Sequence, residues 1–187
     1  MERNLPQLKS ERLSLRLLNE GEEAAAIEYW GRDKDHLMPS GPKWPDDFLS
    51  EEFWRLQIAR NKREFDADFS VRTFVFEPDD PVPVGHASLG AILRGPAQFC
   101  YLGYGLSSSR QGRGYMTEIL PELIKYGFED LKLHRIMANY MPTNDRSGRL
   151  LKRLGFTIEG YARDYLFLNG KWEDHIMTSL TNTNWSD

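Results

Sequence analysis

The chain has 187 residues and a formal net charge of −4, so its length favours one domain with its own hydrophobic core. A hydrophobic fraction of 40% argues against disorder, and the acidic balance argues against a nucleic-acid binder. The single cysteine excludes an internal disulfide and, with four histidines, argues against a zinc site. No stretch has the pattern of a signal peptide or a membrane span, which predicts a cytoplasmic protein without a membrane partner.

Hydrophobic periodicity and turn signals predict an α+β order of elements. Seven strands are predicted, at 12–18, 69–77, 82–93, 99–106, 135–141, 156–168 and 172–180. Four helices are predicted, at 21–31, from Asp46 or Ser50 to about 66, at 116–128 and at 144–154. The first ten residues are expected to be frayed, and the prolines in 36–45 predict a loop. Asn169-Gly170 predicts a tight hairpin between the last two strands, and the whole of 1–187 is expected to form one domain.

A polar turn at 107–115, SSSRQGRGY, separates a predicted strand from an amphipathic helix. It places Gly112 and Gly114 at a helix N-terminus, where unpaired N–H groups and the helix dipole favour an anion. Glycine also lets the backbone approach that anion closely. The P-loop pattern is absent, and the dinucleotide fingerprint lacks its third glycine. By itself, the turn is equally consistent with a simple tight connection.

A second set of motifs favours the anion site. The motifs, in chain order, are ERLSLR at 11–16, QGRG at 111–114, NDRS at 144–147 and LGFTIEG at 154–160. In this order and spacing the chain resembles the GNAT family of acetyl-CoA-dependent N-acetyltransferases over nearly its whole length. Three further segments resemble the RimJ branch of ribosomal-protein alanine N-acetyltransferases: HRIMANYMP at 134–142, DYL at 164–166 and GKWEDH at 170–175.

The resemblance implies a fold and a place for the cofactor. The fold would be a single GNAT domain whose mixed, mostly antiparallel central sheet has flanking helices. Its strands 4 and 5, here 99–106 and 135–141, would splay apart and hold the pantetheine arm of acetyl-CoA, with no metal. Ser109 departs from the family, whose members often carry Gln or Arg there, and Arg110 or Arg113 could add charge. The residues whose backbone would bind the pyrophosphate are Gln111, Gly112, Arg113, Gly114 and Tyr115.

The resemblance also implies contacts around the thioester. A backbone N–H near Leu106 would bind the thioester carbonyl and stabilise its oxyanion. Asn144 would bond the pantetheine arm, and Ser147, paired here with Tyr104 as the catalytic residues, would protonate the departing thiolate. From the residues alone, Asn144 is expected to be an N-cap whether or not it also binds the cofactor, and Ser147 is better explained as a solvated first-turn serine. The polar candidates for a general base are Tyr104, His134, Asp174 and His175.

The lack of an obvious base favours an α-amine acceptor. An α-amine has a pKa near 8 against about 10.4 for lysine, a gap worth ~3.4 kcal/mol. The resemblance implies direct attack by the N-terminal alanine of ribosomal protein S5. Two alternatives stay open: a small-molecule amine as acceptor, or a non-catalytic acetyl-CoA-binding module in ribosome assembly or regulation. Three tryptophans are expected in the core rather than in a ligand site: Trp30, Trp44 and Trp54.

Overall fold

The structure, a computed structural model, describes residues 6–186. Within them, eight strands form one sheet in the order β1-β2-β3-β4-β5-β6-β8-β7. The strands are β1 (Gln7–Lys9), β2 (Ser14–Arg16), β3 (Val71–Phe76), β4 (Gly85–Leu93), β5 (Phe99–Leu106), β6 (Arg135–Met137), β7 (Thr157–Leu168) and β8 (Lys171–Thr181). The α-helices are α1 (Glu23–Arg32), α2 (Lys34–Leu37), α3 (Glu51–Asp66), α4 (Tyr115–Glu129) and α5 (Asp145–Arg153). Short 3₁₀ helices occupy Met38–Ser40 and Ser108–Arg110.

The predicted α+β order is confirmed, and local signals account for several boundaries. β3, β4 and β5 form the predicted antiparallel meander. Ser50, not Asp46, caps α3, because its Oγ accepts a hydrogen bond of 3.1 Å from the backbone N–H of Phe53. Asn169 and Gly170 have φ values of 43° and 92°, the left-handed pair that a two-residue type I′ hairpin requires.

Two expectations for the N-terminal part are wrong. Gln7–Lys9 is not frayed but pairs with β2 in antiparallel register, while residues 1–5 lie outside the described residues. The predicted loop at 36–45 begins with the end of α2 and a 3₁₀ turn. Pro39 stands in the first turn of that 3₁₀ helix, where a missing N–H breaks no helical hydrogen bond, so proline did not exclude helix here.

Helices cover both faces of the sheet and create two apolar clusters. On one face α4 packs on the central strands, and this cluster includes the fully buried Leu89, Cys100, Ile119, Leu123 and Ile136. On the other face α1 and α3 pack on β3, and this cluster includes Tyr29, Trp54, Ile58, Phe74 and Phe76. Because β5 and β6 lie in the middle of the sheet, an opening between them can be approached from both faces of the sheet.

Such an opening exists between β5 and β6. The two strands pair in parallel over three positions, ending with Tyr101 opposite Met137. β5 then continues to Leu106 along β4, whereas β6 stops and the chain beyond it stays with β8. There the Ala138 N–H donates to Thr178 at 3.0 Å and Tyr140 bridges to Ile176. The buried strand predicted at 135–141 is therefore shorter than expected, and the predicted divergence of strands 4 and 5 is confirmed.

Glu64 fastens the end of α3 to β3 through charged hydrogen bonds. Its carboxylate accepts from Ser70 Oγ at 2.6 Å, Arg60 Nε at 2.7 Å and Arg72 Nε at 3.0 Å. Burial alone would raise the pKa of Glu64, but these three donors lower it from 4.5 to about 2. A lowered folded-state pKa stabilises the protein above the unfolded value, and this stabilisation is lost as the pH falls from about 4.5 towards 2.

Glu64→Gln is expected to lower the free energy of unfolding by ~2 kcal/mol near neutral pH, because the variant loses charged hydrogen bonds in a mostly buried position. Below pH ~3 the variant and the wild type should converge, since the wild-type carboxylate is then being protonated. Urea denaturation across this pH range measures both effects. Glu28→Gln removes the same charge from an exposed position of α1 and should change little. An equal loss at acidic and neutral pH would contradict the assignment.

Candidate active site

The glycine turn leads from β5 directly into α4. Gly112 and Gly114 both have a φ of 78°, in the left-handed region that favours glycine. Gly114 is the N-cap of α4, and no side chain within residues 6–186 caps that helix. The N–H groups of its first turn therefore stay available for an anion, with the positive end of the helix dipole behind them.

Arg12 braces this turn from the N-terminal strand region. Its Nη2 donates a hydrogen bond of 3.1 Å to the carbonyl oxygen of Arg113, and its Nε donates at 2.7 Å to Glu118 of α4. Its guanidinium carbon lies 5.0 Å from the centre of the Tyr115 ring. Arg12, the first arginine of the ERLSLR motif, thus holds the turn in place. The sequence analysis did not predict this role.

Asp33 anchors the other side of the turn. This buried carboxylate accepts hydrogen bonds from the backbone N–H of Ser108 at 2.8 Å and from its hydroxyl at 2.9 Å. Burial by itself would raise the pKa of Asp33, but hydrogen bonds from Ser107 and Ser108 hold that pKa below its ordinary value. Sequence reasoning missed Asp33, because no motif marks a residue that follows α1 and contacts a loop far along the chain.

The two arginines of the turn differ in whether their side chains are free to bind an anion. Arg110 donates from Nε to Glu77 at 3.0 Å, and the Tyr115 hydroxyl donates to the same carboxylate. Arg113 is exposed, and no ion pair within residues 6–186 engages its guanidinium. Of the two predicted cationic helpers, Arg113 is therefore the one available to a bound phosphate.

The edge of β5 that faces the opening presents a row of backbone N–H groups. The N–H of Ser107 donates to Val84 at 2.8 Å and thus points towards β4. Leu102 still adjoins the last bridge with β6, Tyr101 opposite Met137. Because successive N–H groups of a strand point to opposite edges, those of Leu106 and Tyr104 point into the opening. β6 has ended alongside this part of β5, so no strand within residues 6–186 bonds this row.

α5 directs its first turn at the same opening. Asn144 is its N-cap, and Oδ1 accepts from the N–H of Ser147 at 3.1 Å, which confirms the capping interpretation. The Tyr104 hydroxyl is buried and has no hydrogen bond of full geometry within residues 6–186. Burial raises the pKa of Tyr104, while the adjacent Ser147 hydroxyl partly lowers it. The structure therefore brings Ser147 and Tyr104 together at the opening.

His134 lies too far from the opening to serve as a base. It precedes β6, its N–H donates to Gln98 at 2.8 Å, and its ring packs 5.7 Å from that of Trp185. This is the closed end of the β5–β6 pair. At about 3.3 Å per residue, the six steps of chain from Gln98 to Tyr104 separate it from Tyr104 by roughly 20 Å.

The other two candidates lie on β8. Asp174 accepts hydrogen bonds from the N–H of Asp164 at 2.8 Å and from the Tyr161 hydroxyl, so its oxygens are already engaged. His175 is 4% exposed, and its Nδ1 lies 3.0 Å from the carbonyl oxygen of Glu173. Among the four candidates, His175 and Tyr104 are thus the ones in a position to face the opening.

The aromatic residues of the N-terminal helices form a packed group. Trp54 is 3% exposed, which confirms the core assignment, and Trp30 packs against the same cluster. Trp44 contacts Trp30 with ring centres 5.6 Å apart. Cys100 is also buried, and burial raises the pKa of its thiol to about 12, so this cysteine is unsuited to act as a nucleophile.

The described part of the chain lacks the features of two other classes of protein. Residues 6–186 contain no group of three histidine, cysteine, aspartate or glutamate side chains placed to hold a metal ion. In the same residues, no helix combines the length and apolar character needed to cross a membrane.

Comparison with known proteins agrees with the geometry. Residues 12–157 match the family model described as an acetyltransferase (GNAT) domain. The ribosomal protein uS5-alanine N-acetyltransferase of Escherichia coli is 37% identical over 98% of this chain and 95% of its own length.

Solved structures show the same similarity. The ribosomal-protein-S5-alanine acetyltransferase from Vibrio fischeri superposes with a TM-score of 0.92 at 32% identity, covering 97% of this chain and 100% of its own. Mycobacterium smegmatis RimJ, solved in complex with CoA-disulfide, gives 0.87 at 25% identity, covering 100% of this chain and 90% of its own. The chain belongs to the GNAT family and is an acetyl-CoA-dependent N-acetyltransferase.

Proposed function

We propose that this enzyme transfers the acetyl group of acetyl-CoA to the N-terminal alanine of ribosomal protein S5. The observation that carries the proposal is the opening between β5 and β6, where unbonded N–H groups lie beside Ser147 and the buried hydroxyl of Tyr104. The acceptor rests on the similarity to the Escherichia coli enzyme, which extends over 98% of this chain. Such an acceptor implies a cytoplasmic location.

The residues fit acetyl-CoA as co-substrate along its length. The pyrophosphate would lie on the amides of Gln111–Tyr115, with Arg113 adding charge. The pantetheine arm would bond the N–H row of β5, as an added strand bonds a sheet edge. Because Oδ1 of Asn144 already caps α5, its amide nitrogen is the group that remains for the arm.

The direction of the arm places the reacting atoms. The pyrophosphate site adjoins the Leu106 end of β5, and Ser147 meets Tyr104 further along the strand. A sulfur beside Ser147 puts the acetyl group beyond it, so the oxyanion contact would be the Tyr104 amide rather than the Leu106 amide expected from the sequence.

The amine would attack the thioester carbon directly. The new C–N bond forms, the C–S bond breaks, and the Ser147 hydroxyl supplies the proton that the departing thiolate takes up. An acyl-enzyme is not needed, and the buried thiol of Cys100 is unsuited to form one. A net charge of −4 also suits a basic protein tail as acceptor.

Incubation with acetyl-CoA and an alanine-initiated S5 peptide tests the proposal. Mass spectrometry should find one acetyl group on the N-terminal amine, and none on the same peptide with a blocked N-terminus. Acetylation of small amines but not of the peptide would support a small-molecule acceptor instead. Binding of acetyl-CoA without any acetylated product would support a non-catalytic binding module.

Tyr104→Phe separates stability from activity. A buried hydroxyl without a hydrogen bond of full geometry adds little stability, so its removal should leave the free energy of unfolding unchanged or raise it by up to ~1 kcal/mol. If the hydroxyl orients Ser147, kcat should still fall by ~10-fold, within the range of a proton-transfer partner. Denaturation and steady-state kinetics on one preparation measure both. A Tyr104→Phe variant with the wild-type kcat would show that the Tyr104 hydroxyl has no part in catalysis.

A further inference from the structure

Four polar side chains meet on the sheet face opposite α5, and we call them the acceptor cluster: Tyr101, Asn139, Tyr165 and His175. The Asn139 amide nitrogen lies 3.4 Å from the Tyr165 hydroxyl. The Tyr165 ring centre is 5.5 Å from that of His175, and its hydroxyl also interacts with the Tyr101 side chain. The cluster joins β5, β7 and β8 at the point where β5 and β6 separate, since Tyr101 is the last residue of β5 that pairs with β6.

A bulge in β7 brings Tyr165 into the cluster. The register between β7 and β8 shifts between Ala162 and Leu166, so three residues of β7 lie opposite one of β8. Within the bulge Asp164 has a φ of 47°, a left-handed conformation rare for a residue other than glycine. Asp174 holds it by accepting from the Asp164 N–H at 2.8 Å. Such bulges redirect side chains next to active sites, and local strain of this kind concentrates at functional positions.

His175 projects to the face opposite Ser147. Its neighbour Ile176 lines a cavity together with Leu151 and Lys152 of α5, and successive side chains of a strand alternate between faces. On the face of His175, α1 and α3 cover β3, while Gly103 of β5 remains exposed. An extended peptide could therefore enter between those helices and the β7–β8 hairpin and reach the opening.

The hydrogen bond of His175 determines which ring nitrogen carries the hydrogen. A backbone carbonyl can only accept, so Nδ1, which lies 3.0 Å from the Glu173 oxygen, carries the hydrogen. The neutral ring then has its lone pair on Nε2, which bonds to no residue within 6–186. Burial first, and then the Tyr101 contact, raise the pKa of Tyr165, so Tyr165 stays protonated and orients the amine rather than deprotonating it.

We propose that the acceptor cluster receives the attacking amine and that Nε2 of His175 takes its proton, directly or through one water. This assignment rests on the proposed acetyl transfer. As the amine nitrogen bonds to the thioester carbon and the C–S bond breaks, one amine proton passes to His175 and on to solvent. Ser147 delivers the proton for the thiolate from the opposite face, so acid and base flank the thioester without competing for one proton.

The charged and titratable groups that face His175 are few. Tyr101 of β5 and Tyr165 of β7 face it across the cluster, and Asp174 and Glu173 precede it on β8. Asp174 is held by the bulge, and Glu173 pairs with Lys171 at 2.6 Å. A change in the pH dependence of activity on substitution of His175 would therefore report His175 itself.

His175→Gln in the full chain tests the proposal through a pH profile. Near neutral pH, kcat/KM for the amine should fall by ~10²-fold, the range of a lost general base. The deficit should shrink as the pH rises past ~8, because solvent then deprotonates the α-amine. The KM for acetyl-CoA should stay unchanged. His134→Gln, at the closed end of the strand pair, should behave as the wild type.

Tyr165→Phe gives a second, milder variant should His175→Gln not fold. It should raise the KM for the amine several-fold while the pH profile keeps its shape. A His175→Gln variant with the wild-type profile, or with an equal loss at every pH, would overturn the proposal, as would a Tyr165→Phe variant with unchanged KM.

The S5 assignment and the role of His175 can fail separately. If the wild type acetylates a small amine but not the S5 peptide, the S5 assignment fails. The pH profiles of the wild type and His175→Gln, measured with that small amine, still decide the role of His175.

Discussion

Gly112→Val is expected to abolish measurable acetyl-CoA binding, with a Kd at least ~100-fold weaker than that of the wild type, or ~2.7 kcal/mol. Gly112 has a φ of 78°, and a β-branched residue there is a strong conformational outlier. A Cβ built on Gly112 would meet no atom within 4 Å, so the space beside it is the space in which we place the pyrophosphate. Valine would both distort the row of amides and occupy that space. Isothermal titration with acetyl-CoA measures the effect.

Gly95→Val is the matched control for this prediction. Gly95 lies in the connection between β4 and β5, has a φ of 64°, and a Cβ there would also meet nothing within 4 Å. Both substitutions should therefore cost a similar free energy of unfolding, ~1–3 kcal/mol, while Gly95→Val leaves acetyl-CoA binding intact. Equal weakening of binding by both would show that strain, not the anion site, explains the loss.

Ser147→Ala is expected to lower kcat by ~10²-fold with little change in acetyl-CoA affinity. The cap of α5 uses the backbone N–H of Ser147 and the side chain of Asn144, so removal of the hydroxyl leaves the helix start intact. The loss should therefore appear in the chemical step rather than in binding. Single-turnover kinetics beside titration with acetyl-CoA separates the two.

Asn144→Ala supplies the contrasting result on the same helix. It removes the cap, at a cost of ~1 kcal/mol, together with the amide proposed to hold the pantetheine arm, so it should weaken acetyl-CoA binding and stability together. If Ser147→Ala left both kcat and affinity at wild-type values, Ser147 would not be the proton donor. If it weakened binding as Asn144→Ala does, its role would be structural.

Local sequence signals predicted the features that depend on neighbouring residues. Gly112 and Gly114 marked the turn, and the spacing of Asn144 and Ser147 marked the start of α5. The length of β6 was not predictable, because an apolar run such as 135–141 carries no mark of where an adjacent strand turns away. The meeting of Tyr104 with Ser147 depends on that divergence.

The residues that hold the glycine turn in place could not be predicted from the sequence, for a different reason. Arg12 contacts Arg113 across 101 positions of the chain, and Asp33 contacts Ser108 across 75. Neither periodicity nor capping rules connect residues so far apart. The bulge around Asp164 could not be predicted either. The residue pattern of β7 predicts a continuous strand whether or not β7 has extra residues relative to β8.

A crystal structure of the protein with coenzyme A bound tests most directly whether the β5–β6 opening is the acetyl-transfer site. We predict the pyrophosphate on the amides of Gln111–Tyr115, the pantetheine arm along the free edge of β5, and the sulfur beside Ser147 and Tyr104. Coenzyme A bound elsewhere, for example in the cavity between α4 and Trp185, or a sulfur remote from Ser147, would contradict the account.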